Sequence, residues 1–265
     1  MQPVIKWSGS KRPQAEIIKS YIPNFDTYYE PFVGGGSIMY AVSPQKAIVG
    51  DICEPLINLW NEIKTNPQKV ADEYKKRWLQ LQEIGQEFYY QVREHFNKTH
   101  SPYDFIFISR TCTNGLIRFN KKGEFNNSFH VTRKGIKPNT LESIIHDWSN
   151  KIQNITFLHG DYEYTTSNIT DKDIVYLDPP YANTKGMYYG TLDFDKFFKY
   201  LEELNKKNVK FLLSFDGKRG NDDKTFDVPT DLYKRHEYIK SGISSFSRTQ
   251  SKKIIDIYES LYMNF

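Results

Sequence analysis

The chain alternates between short apolar runs and amphipathic stretches over most of its 265 residues. Five runs are apolar, β-branched or aromatic and are bounded by turn-forming residues, which predicts buried strands. These strands cover residues 27–33, 46–51, 155–161, 174–178 and 209–215, and a final antiparallel pair covers 233–240 and 253–262. Helices are predicted between them, at 38–42, 54–64 and 193–207. Such alternation of strands and helices is typical of an α/β fold.

The alternation stops between residues 65 and 148. Residues 67–98 have the apolar spacing of helices, and residues 105–113 predict a further helix or buried segment. Asn, Gly and Lys are frequent between residues 113 and 130, which predicts an exposed, hairpin-like loop. The sequence therefore predicts an α/β unit with an insertion. Near the C-terminus, the polar stretch 216–231 is predicted to be a mobile loop.

The strand at residues 174–178 is followed at once by two prolines and a tyrosine. Proline fixes φ and has no N–H for a sheet ladder, so Asp178 is predicted to end the strand at the carboxyl edge of the sheet. Ligands bind at that edge in open α/β sheets. The Asp178 carboxylate and the Pro179 carbonyl offer two acceptors beside the Tyr181 ring, which suits a planar ring with an amino group. The structural alternative is that Asp178 caps a turn and Tyr181 covers the sheet.

Three consecutive glycines, Gly34, Gly35 and Gly36, join the first predicted strand to a helix. Glycines let a backbone turn tightly and approach a ligand near a helix N-terminus. The next strand ends on Asp51, where dinucleotide-binding folds carry an acid for ribose hydroxyls. The turn is not G-x-G-x-x-G, so alone it is a weak signal. With Asp51 it indicates an adenosine-containing cofactor, and the alternative is that Asp51 only caps the following helix.

The composition is typical of a globular protein and excludes several other classes. The net charge of +4 is mild, and 38% hydrophobic and 26% charged residues are in the globular range. Cys53 and Cys112 are the only cysteines, and the six histidines lack ligand spacing, so we expect neither a disulfide framework nor a metal site. The N-terminal part has no long apolar run, so we expect a soluble, cytoplasmic protein without a membrane span.

Basic residues are concentrated between residues 110 and 137, where Glu124 is the only acid. Phe119, Phe125 and Phe129 are interleaved with the cations. A basic surface with polar and aromatic neighbours is typical of nucleic-acid binding, and the structural alternative is a solvated lysine-rich loop. The seven basic residues are Arg110, Arg118, Lys121, Lys122, Arg133, Lys134 and Lys137.

Six short motifs follow one another along nearly the whole chain. They are K-W-S-G-S-K-R at 6–12, E-P-F-V-G-G-G-S at 30–37, G-D-I at 50–52, N-G-L-I-R-F-N-K-K-G-E-F-N at 114–126, G-D-Y at 160–162 and D-P-P-Y at 178–181. In this order they resemble the Dam-type adenine-specific DNA methyltransferases, the D12 or α-group N6-adenine class. The resemblance implies a Rossmann-like S-adenosylmethionine-dependent methyltransferase fold with a mixed, mostly parallel seven-stranded sheet.

The resemblance also implies roles for the motif residues. The methyl donor would be S-adenosylmethionine, with no metal, and the acceptor would be an adenine flipped out of duplex DNA. The catalytic motif would be Asp178, Pro179, Pro180 and Tyr181, with Tyr181 stacked on the base. Lys11 would lie near the donor carboxylate, Asp51 at its ribose, and Asp161 and Tyr162 at its adenine. The full cofactor set would be Trp7, Lys11, Phe32, Gly34, Gly35, Gly36, Asp51, Asp161 and Tyr162.

The resemblance further implies that residues 1–64 and 150–265 form the catalytic domain and that residues 65–149 form an inserted, mainly helical target-recognition domain. The family-like segment suggests that Arg118 helps to specify sequence. The segment N-S-F-H at 127–130 departs from the family pattern, so a GATC target is not implied. The DNA-contacting set would be Arg118, Asn120, Lys121, Lys122, Arg133 and Lys134.

The expected partners are double-stranded DNA and, if the enzyme serves a restriction-modification system, a cognate restriction endonuclease; we expect a monomer. Two alternatives remain open at this point. The acceptor could be RNA or a protein amide, although protein-amide methylases more often carry N-P-P-Y. The chain could also be an inactive recognition subunit, which the intact motifs argue against.

Overall fold

The computed structural model describes residues 1–180, 192–220, 222–243 and 256–265, and it is built around one mixed β-sheet. The strands are β1 (Tyr28–Glu30), β2 (Ala47–Asp51), β3 (Ile155–His159), β4 (Ile174–Leu177), β5 (Lys210–Arg219), β6 (Asp222–Asp223), β7 (Arg235–Ile243) and β8 (Asp256–Met263). Their order is β3-β2-β1-β4-β5-β8-β7, and the short β6 pairs with β5. The five strands from β3 to β5 in this order run parallel, whereas β8 and β7 are antiparallel.

The predicted α/β class with a mixed, mostly parallel sheet is confirmed. The seven predicted strands are present, and the two-residue β6 is an eighth. Strand β4 ends at Leu177, so Asp178 is the first residue after the strand. The predicted loop at 216–231 is wrong at its start, because β5 continues to Arg219. An irregularity in the pairing with β8, between Asp216 and Arg219, lets the strand continue through the polar stretch.

Nine α-helices are assigned among the described residues. They are α1 (Ala15–Ser20), α2 (Ser37–Val42), α3 (Glu54–Thr65), α4 (Pro67–Ile84), α5 (Gln86–Thr99), α6 (Pro102–Thr111), α7 (Pro138–Lys151), α8 (Tyr162–Thr165) and α9 (Phe194–Lys206). Helices α3, α4, α6 and α7 carry proline in their first turn, where its missing N–H costs no hydrogen bond. Within the described part of the chain, no helix has both the length and the apolar character needed to cross a membrane.

Both faces of the parallel part of the sheet are buried. Side chains alternate along each strand, so Tyr28 and Tyr176 enter one core while Tyr29 and Val175 enter the other. This double burial explains why the parallel strands read as continuous apolar runs in the sequence. Helix α9 covers one face, where Phe197 packs among the strand residues.

The insertion shares a continuous hydrophobic core with the other face of the sheet. Trp60 of α3, Tyr74 of α4, Phe107 of α6 and Trp148 of α7 all belong to the same buried cluster as the strand residue Tyr28. Helix α7 contacts both α3 and α4, so it joins the insertion to the sheet. A rigid shared core of this kind fixes the insertion relative to the carboxyl edge of the strands.

The hairpin-like prediction for residues 113–130 is confirmed by antiparallel bridges from Cys112 to Phe129 and from Phe119 to Phe125. The interpretation of the phenylalanines as part of an exposed nucleic-acid surface is wrong for Phe125 and Phe129, which are buried in the core. Phe125 packs edge-on against Phe96 of α5. These rings anchor the hairpin to the helices, whereas Asn126 and Ser128 beside them are exposed.

Candidate active site

A cavity of about 250 Å³ lies at the carboxyl edge of the parallel strands. The centre of this edge is the point where chain connections leave β1 in one direction and β4 in the other, which is where open α/β sheets bind ligands. Residues from the ends of β1, β2 and β4 and from the segment after β3 line it. The sequence-predicted residues at its wall are Trp7, Lys11, Phe32, Gly34, Gly35, Gly36, Asp51, Asp161, Tyr162, Asp178, Pro179 and Pro180.

Asp178 lies on the wall of this cavity, directly after β4. The fully buried strand β4 delivers it to the edge of the sheet, and Pro179 and Pro180 prevent any further pairing. Its carboxylate lies 2.8 Å from the Lys11 Nζ atom and keeps 19% of its side chain exposed. Tyr181, the fourth predicted catalytic residue, lies outside the described residues.

The glycine turn between β1 and α2 is held by a hydrogen bond from one tryptophan and covered by the ring of another. The Trp60 Nε1 atom donates to the Gly34 carbonyl at 3.1 Å. Trp7 lies directly over the turn, because a Cβ atom on Gly34 would come within 2.6 Å of the Trp7 Nε1 atom. Gly34 also has φ of +45°, which favours glycine. The glycines therefore let an indole ring approach the backbone on the cavity side.

Asp51 links the glycine turn to the end of β2. One carboxylate oxygen accepts the Gly34 backbone N–H at 3.2 Å, and the other accepts that of Cys53 at 3.0 Å. Burial raises the pKa of Asp51 to about 6, although these two hydrogen bonds oppose the shift. The carboxylate is thus held in one orientation. Each of its oxygens has lone pairs left for a further donor.

Aromatic rings line the cavity beyond Asp51. Phe32 and Tyr162 have centroids 5.8 Å apart, and the Tyr162 ring packs edge-on against Phe197 of α9. The exposed Asp161 caps α8, since its carboxylate accepts the Tyr164 backbone N–H at 2.8 Å. The rings offer an apolar wall, and Asp161 keeps a polar group at its rim.

The floor of the cavity contains a buried acid that the sequence analysis gave no role. The Tyr28 hydroxyl donates to Glu30 at 2.7 Å, and both side chains are buried. Burial, with a smaller contribution from the negative charge of Asp178, raises the pKa of Glu30 to about 8, although the hydrogen bond from Tyr28 opposes the shift. Beside this pair, the Tyr176 hydroxyl lies 2.8 Å from the Ser214 Oγ atom. Glu30 is therefore mainly protonated at neutral pH.

Lys11 lies between two carboxylates. Besides Asp178, it contacts Glu259 of β8, with 3.3 Å between the Nζ and Oε2 atoms. Its predicted neighbour, the carboxylate of the methyl donor, stays a prediction. Glu30 could have been suspected from its place at the end of a strand. Glu259 carries no signal in the sequence, because it lies far from every motif.

The predicted DNA-contacting residues lie away from the cavity wall. Arg118, Lys121, Lys122, Arg133 and Lys134 are exposed on the hairpin and the loop that follows it.

Asn120, predicted to contact DNA, and Arg110, counted among the seven basic residues, make contacts within the protein. The Asn120 side chain accepts the backbone N–H groups of Lys122 and Glu124, so it organises the hairpin turn. The buried Arg110 donates to the carbonyls of Pro3 and Val4 and ties the N-terminal segment to α6.

A model of the D12 class of N6 adenine-specific DNA methyltransferases matches residues 7–257. The chain belongs to this family. The alternative acceptors and the inactive subunit considered from the sequence are thereby set aside in favour of a DNA adenine methyltransferase.

Relatives of this methyltransferase include enzymes of two kinds. The type II methyltransferase M.MjaIII of Methanocaldococcus jannaschii is 31% identical over 246 residues, which are 81% of this chain and 84% of that protein. The DNA adenine methylase of Escherichia coli K12 is 36% identical over 185 residues, so the match spans 67% of this chain and 64% of that enzyme. Among solved structures, the rRNA methyltransferase AviRa of Streptomyces viridochromogenes covers 95% of this chain and 80% of its own, at 9% identity and a TM-score of 0.42.

Proposed function

We propose that the edge of β4 holds the amino group of the target adenine. The Asp178 carboxylate and the Pro179 carbonyl would accept hydrogen bonds from the two N–H groups of this amino group. Pro180 would keep the segment rigid, and Tyr181 would stack on the base. These hydrogen bonds would draw the nitrogen lone pair out of conjugation with the ring, so that it can attack the methyl group as the methyl–sulfur bond breaks. The methylated nitrogen then loses one proton. The observation that carries the proposal is the position of Asp178, on the cavity wall that the glycine turn also lines. Positioning and charge dominate a transfer of this kind.

The rest of the cavity fits S-adenosylmethionine, the donor that membership of this family implies. That donor supplies a methyl group on a positively charged sulfur, so no side chain and no metal is needed to activate it. Asp51 would accept hydrogen bonds from the ribose hydroxyls, because each of its oxygens already has one fixed backbone donor and retains a lone pair.

The apolar parts of the donor would pack against the aromatic wall. Phe32 and Tyr162 would flank the adenosine, with Asp161 at its polar rim and Trp7 over the turn. The glycines at Gly34–Gly36 would let the donor approach the backbone closely. Lys11 would contribute a positive charge at the boundary between donor and acceptor sites.

Access to Asp178 requires the target base to leave the duplex. The carboxylate is recessed in the cavity, and an adenine that is stacked and paired could not bring its amino group there. We therefore infer base flipping, in which the enzyme extrudes the nucleotide into the pocket.

DNA would be held by the insertion. We propose that residues 65–149 act as the target-recognition domain, although α7 extends to Lys151 and the boundary at 149 falls in its last turn. The exposed cations support this role, because they are accessible to the phosphate backbone and can neutralise it. They are Arg118, Lys121, Lys122, Arg133 and Lys134, with Asn120 shaping the turn that presents them.

We propose that one chain acts as a monomer, since a single chain carries the whole cavity and the basic surface. A partner endonuclease is proposed only for a restriction-modification setting, which the name of the relative M.MjaIII suggests.

The test is transfer of labelled methyl from S-adenosylmethionine to mixed-sequence duplex DNA, followed by sequencing that detects N6-methyladenine. We expect the label in adenine at one short motif. An Asp178→Ala variant serves as the inactive control, with donor binding measured by calorimetry. Methylation by that variant near the wild-type rate would contradict the proposed acceptor role.

A further inference from the structure

Three charged side chains from distant parts of the sequence meet beside the cavity, two of them, those of Lys11 and Asp178, on its wall. The Lys11 Nζ atom lies 2.8 Å from an Asp178 oxygen and 3.3 Å from a Glu259 oxygen. Its side chain is only 5% exposed, whereas those of Asp178 and Glu259 are 19% and 22% exposed. Lys11 is thus largely desolvated, which strengthens an ion pair, and its single positive charge is divided between two carboxylates.

Glu259 reaches this place through the antiparallel half of the sheet. It pairs with Asp216 across β5 and β8, next to the irregularity in β5. Gly217 permits the close approach, because a Cβ atom there would lie 2.4 Å from the Tyr258 carbonyl oxygen and 2.9 Å from the Glu259 Cα atom. The backbone of β8 is therefore held tightly at this residue, and the Glu259 side chain is aimed from a rigid strand.

The ion pair between Lys11 and Glu259 matters because Asp178 must act as a hydrogen-bond acceptor. A lysine that pairs with Asp178 alone would occupy lone pairs of the Asp178 carboxylate and offset the negative charge of that carboxylate. Asp178 would then be a weaker acceptor for an amino group. A second carboxylate on the same lysine draws the ammonium group away from Asp178. Positive charge develops on the adenine nitrogen during transfer, so an acceptor that keeps its negative charge stabilises the transition state.

We infer that Glu259 is a positioning residue of the methyltransferase, which acts on Asp178 through Lys11. It does not contact the base in this scheme, and it sets how much of the lysine's charge falls on the Asp178 carboxylate. This inference rests on the proposed acceptor role of Asp178.

The first experiment compares Glu259→Gln with the wild-type enzyme in steady-state methylation. We expect kcat to fall about tenfold, while KM for DNA and for S-adenosylmethionine changes less than about twofold. Glu259→Asp, which keeps the charge on a shorter side chain, is expected to recover part of the rate. Glu237→Gln on the neighbouring β7 is the matched control, since Glu237 contacts Arg235 on the outer part of the sheet, and wild-type kinetics are expected.

The second experiment is a double-mutant cycle with Lys11→Met. If Glu259 acts through Lys11, adding Glu259→Gln to Lys11→Met has little further effect on kcat. Independent, multiplicative losses would overturn the inference, as would a Glu259→Gln variant that loses thermal stability but keeps its wild-type kcat. If Glu259→Gln does not fold, Glu259→Asp replaces it in the cycle with the same expected non-additivity.

Asp178→Ala separates this inference from the proposed function. Substantial activity in Asp178→Ala would remove the acceptor role on which both depend. An inactive Asp178→Ala together with a fully active Glu259→Gln would overturn only the role of Glu259.

Discussion

The cavity at the sheet edge and the basic hairpin differ in how their charged groups are placed. Lys11, Asp51 and Glu30 are recessed at the cavity, and each has named partners within the fold. Arg118 and Lys122 are exposed on a hairpin whose buried rings only anchor it. The cavity is assembled from segments across the whole sequence, whereas the hairpin is one continuous segment.

Under the proposed function, this difference separates the chemical step from DNA recognition. A desolvated, pre-oriented site strengthens the electrostatic effect of its charged groups, and burial at the cavity raises the pKa of Asp51 and that of Glu30. Cations that meet a phosphate backbone work best when solvated and mobile, with affinity that depends on salt. Perturbing the first region should alter rate or donor binding, and perturbing the second should alter DNA binding and sequence choice.

The largest expected effect is at the acceptor. Asp178→Ala should lower kcat by about 10³-fold or more, because a directed acceptor for developing charge is lost. Donor and DNA binding should change by less than about fivefold, since Asp178 bears on the transition state more than on the bound substrates. Single-turnover methylation and separate binding titrations measure the two quantities. A parallel loss of DNA binding would show that Asp178 also supports the recognition surface and would break the proposed separation.

The second-largest expected effect is at Asp51, the proposed ribose-binding residue. Asp51→Asn should weaken S-adenosylmethionine binding about 10- to 30-fold, because the negative charge is lost and the amide NH2 group can accept neither a ribose hydroxyl nor the backbone N–H that one Asp51 oxygen accepts. DNA affinity should remain unchanged, and calorimetry with each ligand tests both statements. Asp171→Asn, at an exposed position before β4, is the matched control. Equal weakening by the control would argue against a specific contact at Asp51.

The raised pKa of Asp51 adds a pH dependence to the same binding step. Because burial raises that pKa to about 6, the carboxylate becomes protonated as the pH falls below 6 and loses acceptor capacity. Donor affinity in the wild-type enzyme should be constant above pH 7 and fall several-fold by pH 5. Asp51→Asn should show a flat profile over this window. A wild-type profile that is also flat would contradict the assignment.

The hairpin should respond differently to two neighbouring substitutions. Arg118→Ala is expected to reduce discrimination at one base of the target about tenfold, if Arg118 contacts a base edge. Lys122→Ala should weaken binding to all sequences alike and reduce the salt slope by about one. Methylation of a set of single-substitution duplexes at several salt concentrations distinguishes them. A uniform loss with Arg118→Ala would make Arg118 a phosphate contact.

The smallest expected effect concerns stability at the cavity floor. Burial raises the pKa of Glu30 to about 8 from an ordinary value of 4.5, so ionisation penalises the folded state as the pH rises through this window. Glu30→Gln removes that penalty. The melting temperature of the variant relative to wild type should therefore increase by several degrees between pH 5 and pH 8.5. Glu87→Gln, on the exposed face of α5, should show no such trend, and an equal trend there would refute the assignment.

The sequence alone determined the order of the strands, the place of the glycine turn and the acids that end or follow three strands. These are local properties, since strand ends, proline stops and glycine turns follow from neighbouring residues. The parallel arrangement then brings the ends together, because carboxyl ends of parallel strands share one edge. Asp51, Asp161 and Asp178 were found in this way.

Only the tertiary structure decided which charges meet. The pairing of β8 with β5 carries Glu259 to Lys11, across 248 positions that no local pattern connects. Burial of Phe125 and the use of Asn120 within its turn also depend on packing, which composition cannot predict. Spacing along the chain fixes local geometry, whereas contacts between distant side chains depend on how the sheet and its covering helices close around them.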